Sequence, residues 1–288
     1  MNYLVTNRTS YSQLLVALVF ALLPIGAHAV ETISAAPAPT LDQGFHLLYN
    51  LNFSDAHNLF LAWERQHPED PLGPACDAAG FLFSEFNRLG VLESQFLEDD
   101  KAFDARKKLD PNPAVRDQFN AALDQAETKA RKRLGADPKD RNALFAMTLS
   151  SGLRTDYAAL IEKRNLASLH YTKLADGWAQ QLLAVDPNCY DAHVATGFSK
   201  YIIGSMSSPV RWLVRLGGIS GDKQAGIAEL KLTAEHGEYL APFARILLAI
   251  AYVREKDKPQ ARELLASLRD QFPANPLFRL EIARLDSR

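Results

Sequence analysis

From position 41 onward, apolar residues recur every three to four positions, and no stretch alternates apolar and polar residues with β-branched enrichment. The pattern predicts helices and no strands. Stop signals fall at His67-Pro68, Asp110-Pro111, Asp137-Pro138, Asp186-Pro187 and Phe272-Pro273, because proline lacks an N–H and clashes with the preceding helical turn. An alanine lies twelve positions before four of these prolines: Ala56 before Pro68, Ala126 before Pro138, Ala175 before Pro187 and Ala261 before Pro273. Further small residues stand twelve before the alanine, at Gly44 and Ala249, or ten after the proline, at Ala78 and Gly197. Each aligned segment reads as an amphipathic helix closed by a proline turn. The small residues mark where two helices pack closely, since helix axes approach only where one side chain is small.

This layout resembles the tetratricopeptide (TPR) repeat, a unit of about 34 residues with small residues on both helices and a proline at the closing turn. The resemblance is clearest over 41–70, 141–200 and 242–275, and the consensus tryptophan of the first helix is missing. Within 71–125 the register weakens, and FLEDDKAFDARKKLDPNP reads as an insertion. Pro138 to Pro187 spans 49 residues, and the next closing turn, near Gly237-Glu238, falls about 51 residues later. The surplus lies near 154–166, as an extended first helix, and near 205–223. The resemblance implies an all-α, right-handed helix-pair solenoid of roughly five to six units over 41–288, ending in a capping helix in which Leu277, Leu280, Ile282 and Leu285 alternate with polar residues. It also implies a concave groove lined by the first helix of each pair. The repeat register places Phe45 and Tyr49 there, then Asn142, Phe145 and Leu149, then Val194, Phe198 and Tyr201, and lastly Ile250 and Arg254. Such a groove suits a protein or extended-peptide partner; the competing reading puts these aromatics in the core.

The N-terminus adds an address. Arg8 precedes the apolar run Leu14–Ile25, and Ala27-His28-Ala29 follows. The run is shorter than the roughly 20 residues a membrane span requires and matches a secretory leader cleaved after Ala29. Residues 1–29 are therefore read as a signal peptide and 30–40 as a linker. The expected location is the cell envelope, with the periplasm ahead of the medium.

Charge and chemistry narrow the function further. A net charge of −2 offers no basic stripe for nucleic acid. The two cysteines, Cys76 and Cys189, form either one disulfide or two buried thiols. No C-x-x-C pair, H-E-x-x-H pattern or G-x-S-x-G elbow occurs, and the glycine-rich Gly217–Lys223 segment departs from phosphate-loop spacing. The expectation is a non-enzymatic scaffold without metal or cofactor. The short amphipathic PVRWLVRL segment, with Arg211, Trp212 and Arg215, either packs on neighbouring helices or docks a partner or membrane surface. The alternative function is a small-ligand or hydrolase-like pocket between the two insertions, using Arg154, Asp156, Tyr157, Arg211 and Arg215.

Overall fold

The computed structural model describes residues 38–94, 107–206 and 221–287, and these form one unit. The leader, most of the linker, the 96–106 part of the predicted insertion and Arg211, Trp212 and Arg215 lie outside the described residues.

Among the described residues there are eleven helices of nine residues or more and no strand. We number them α1 (Leu41–Tyr49), α2 (Phe53–Gln66), α3 (Leu72–Arg88), α4 (Pro113–Ala136), α5 (Arg141–Asp156) and α6 (Asn165–Val185). The rest are α7 (His193–Ser205), α8 (Lys223–His236), α9 (Ala241–Arg254), α10 (Lys258–Gln271) and α11 (Leu277–Asp286). Each packs on the next, giving five consecutive pairs and a terminal helix. The helix-pair array expected from the sequence is the fold.

The proline turns are copies of one device. His67, Asp137, Asp186 and Phe272 each end a helix with backbone outside the α region, extended at Asp137 and Asp186, because the following proline disfavours the helical conformation. Each carbonyl then accepts a hydrogen bond from the N–H three residues on: Asp70 (3.0 Å), Asp140 (3.0 Å), Cys189 (3.1 Å) and Asn275 (3.0 Å). Three of those four residues accept from the start of the next helix: Asp70 from the Leu72 N–H, Asp140 from Ala143 and Asn275 from Leu277, each at 2.9 Å. Asp110-Pro111 differs, standing before α4 rather than ending a helix.

The small residues sit at the helix contacts. Ala56, Ala78, Ala126, Ala175, Ala249 and Ala261 are all buried. A Cβ on Gly44 would run into the Phe60 ring, and one on Gly197 would sit 3.0 Å from the Gly226 carbonyl oxygen. The extended first helix expected near 154–166 takes the form of α5 followed by a π-helical turn, Tyr157–Ile161. In the terminal helix Phe278, Ile282 and Leu285 face inward, whereas Leu280 is exposed, because inward positions follow the helical period from Phe278.

One feature departs from an open solenoid: the two ends meet. The Tyr49 hydroxyl donates to the Tyr239 carbonyl at 3.0 Å, and the Asn275 side-chain amide donates to the Tyr49 carbonyl at 2.8 Å. Phe272 lies 5.2 Å from the Tyr49 ring and 5.3 Å from His46. Helix α1 is thereby fastened to the turns that flank α9 and α10, and the concave groove closes into a bowl.

Candidate functional site

The bowl contains an apolar pocket. Its wall is built from α1, α3, α5, α7 and α9, the first member of each pair, with Thr172 and Ala175 added by α6 and Asp191 and Leu240 by the turns before α7 and α9. The cavity between the walls has a volume of about 110 Å³. Six aromatic rings line it: Phe45 and Tyr49 from α1, Phe83 from α3, Phe145 from α5, Phe198 from α7 and Phe243 from α9. Alternate helices supply the wall because their inward stripes face the axis of curvature, while the even helices cover them outside.

Tyr239, in the α8–α9 turn, ties the wall together. Its ring stacks on Phe45 (5.5 Å, 25°) and Phe145 (6.0 Å, 23°). The turn itself hangs on Asp191, which is 4% exposed. One Asp191 oxygen accepts from the Glu238 N–H (3.2 Å) and Tyr239 N–H (3.1 Å), and the other from Leu240 (3.0 Å). Burial pushes the Asp191 carboxyl above the usual range, and the three N–H donors pull against it. Sequence reading missed Asp191 and Tyr239, because contacts 48 residues apart with backbone N–H groups leave no local pattern.

The polar groups in the wall present acceptors. The hydroxyls of Thr148, Thr155 and Thr172 donate to the carbonyls of Leu144 (2.9 Å), Ser151 (3.0 Å) and Ser168 (2.9 Å), one turn earlier in their own helices. That leaves only oxygen lone pairs toward the pocket. Asp156, the last residue of α5, lines the same wall. Its carboxylate has no hydrogen-bond or ionic partner among the described residues. Desolvation lifts its pKa to about 7. The residue is half-buried and forms part of the pocket lining. No lysine, arginine or histidine lines the pocket among the described residues.

Of the ten residues expected in the groove, six line the pocket: Phe45, Tyr49, Phe145, Leu149, Val194 and Phe198. The other four do not. Asn142 donates to Asp70 at 2.7 Å and braces α5 against the α2–α3 turn. Tyr201 is buried with its hydroxyl 3.5 Å from the Ala251 carbonyl, one turn past Phe198 and inside the α7–α9 packing. Ile250 packs on the C-terminal cluster, and Arg254, in the last turn of α9, lies off the wall.

The alternative set divides as well. Arg154 pairs with Glu127 (2.7 Å) and Asp124 (2.8 Å) on α4, and Tyr157 stacks on Phe119 at 5.1 Å. Among the described members of that set, Asp156 alone lines the pocket, because positions two apart on a helix diverge by about 200°. Cys76 and Cys189 are both buried free thiols, the second of the two alternatives. Each fills a small gap in the core, and burial raises both thiols.

No protein-family model matches the sequence. A comparison with curated proteins finds none that matches. Among solved structures, the chain is similar to a thermophilic TPR protein from Thermus thermophilus, at 16% identity over 86% of this chain and 98% of that one, with a TM-score of 0.43.

Proposed function

We propose that this chain is a non-enzymatic binding protein whose concave pocket takes a compact apolar ligand. The observation that carries this reading is the convergence of six aromatic rings from five helices on one pocket. An apolar lining with a few placed polar groups is the usual composition of small-molecule sites. Closure of the ends favours this over an extended peptide, because Tyr49, Tyr239 and Asn275 bridge the path such a peptide would follow. A protein partner reaches the same rings only by inserting a single apolar anchor side chain. The protein acts in the cell envelope in this reading, supported by the apolar run Leu14–Ile25 and the Ala27-His28-Ala29 site.

Titration with the uncharged dye N-phenyl-1-naphthylamine tests the pocket. Saturable one-to-one fluorescence enhancement is expected, and a linear, unsaturable signal would contradict it. Export is tested by N-terminal sequencing of protein recovered from the periplasm: a start at Val30 is expected, and an intact Met1 contradicts it.

A further inference from the structure

We propose that the ligand of this pocket is a hydrophobic primary amine, whose ammonium group docks on the unpartnered Asp156 carboxylate while its apolar body lies among the aromatic rings. The inference rests on the pocket being the binding site and adds the chemical class of its occupant.

Three features of the wall support it. The first is Asp156 itself. An unpaired carboxylate in an apolar wall costs folding free energy, and no neighbouring cation among the described residues offsets that cost. A ligand cation offsets it. The second is the directionality of the other polar groups. Thr148, Thr155 and Thr172 have given their protons to backbone carbonyls, and the Tyr49 hydroxyl has given its own to Tyr239. The wall therefore offers lone pairs to a ligand rich in N–H donors and no donor to a ligand carboxylate. The third is the ring set. Aromatic faces attract a cation electrostatically, and the six rings surround the pocket on helices that the closed array holds in place.

The other titratable groups in the wall are Asp191 and Tyr49, and both are occupied. Asp191 accepts three backbone N–H bonds, and burial holds the Tyr49 hydroxyl protonated. Asp156 is thus the group that meets the ammonium. Because its proton leaves near pH 7, amine affinity rises between about pH 5.5 and 8.5, where a primary alkylamine keeps its own charge.

The test uses three probes of matched length, 4-phenylbutylamine, 4-phenylbutanol and 4-phenylbutyrate, each displacing N-phenyl-1-naphthylamine from the full exported chain. At pH 8 the amine is expected to bind at least tenfold more tightly than the alcohol, with the carboxylate weakest. Asp156→Asn is expected to bring the amine within about threefold of the alcohol and to flatten its pH dependence. Equal affinity of amine and alcohol in the wild type, or preference for the carboxylate, overturns the ammonium seat and leaves the pocket reading standing. Failure of the dye itself to bind saturably sinks both. If Asp156→Asn weakens alcohol and amine alike, the residue shapes the pocket rather than pairing with charge, and the proposal is overturned.

Discussion

At the scale of single residues, Asp156 carries the sharpest consequence. Its carboxyl prefers the protonated form in the fold, with a pKa of about 7, whereas an unfolded aspartate titrates near about 4. Between these values the native state holds the extra proton, so the stability tied to that proton is complete at low pH and is lost as pH rises through 7. Asp156→Asn removes this liability, since an unpaired amide costs less than an unpaired charge. The variant is expected to melt higher than wild type at pH 8.5 and at nearly the same temperature at pH 4; an equal difference at both values contradicts an ionised Asp156. Asp191 has the opposite role. Asp191→Ala strips partners from three backbone N–H groups at once, each worth about 1–3 kcal/mol when buried. A loss of at least about 3 kcal/mol in urea unfolding is expected, and a change below about 1 kcal/mol contradicts the role assigned to it.

At the scale of helices, the decisive contacts are made by the smallest residues. A Cβ on Gly226 would stand 2.6 Å from the Gly197 carbonyl oxygen and 2.6 Å from the Tyr201 nitrogen, both backbone atoms that cannot step aside. Gly226→Ala is therefore expected to destabilise by about 2 kcal/mol or more, as overpacking does. Gly135, in the last turn of α4, has nothing within 4 Å of its Cβ position. Gly135→Ala is expected to be neutral or to stabilise by up to about 1 kcal/mol through helix propensity. Denaturation of the two variants side by side separates contact from propensity. This level was the most legible in the sequence. The prolines and alanines are short-range marks with a fixed spacing, and they fix helix ends and contact points before any tertiary structure is known. Gly226 was missed because its partner backbone belongs to another helix, and nothing near it in the chain signals the approach.

At the scale of the whole molecule, closure changes what the repeat does. A helix-pair array left open presents a groove; fastening α1 to the α10–α11 turn makes that groove a bowl. The fastening residues, Tyr49 with Tyr239 and Asn275, lie 190 and 226 residues apart. No periodicity within one repeat reports on such a separation, which is why the inward stripe was legible but the enclosure was not. The same limit explains the groove residues that fell elsewhere. Phe198 keeps the inward register, but Tyr201, one turn on, is captured by the α7–α9 packing that curvature creates.

The central claim is that this enclosed space is the working surface, and Gly152 gives direct access to it. Gly152 lines the pocket from the C-terminal half of α5, and a Cβ there meets nothing within 4 Å. Gly152→Leu fills the space with an apolar side chain and replaces a poor helix former with a good one. The decisive measurement is dye titration of Gly152→Leu beside a melting curve. The account predicts that the variant melts at or above the wild-type temperature and loses at least tenfold in affinity for N-phenyl-1-naphthylamine. A stable, folded Gly152→Leu protein that binds the dye as tightly as wild type contradicts it.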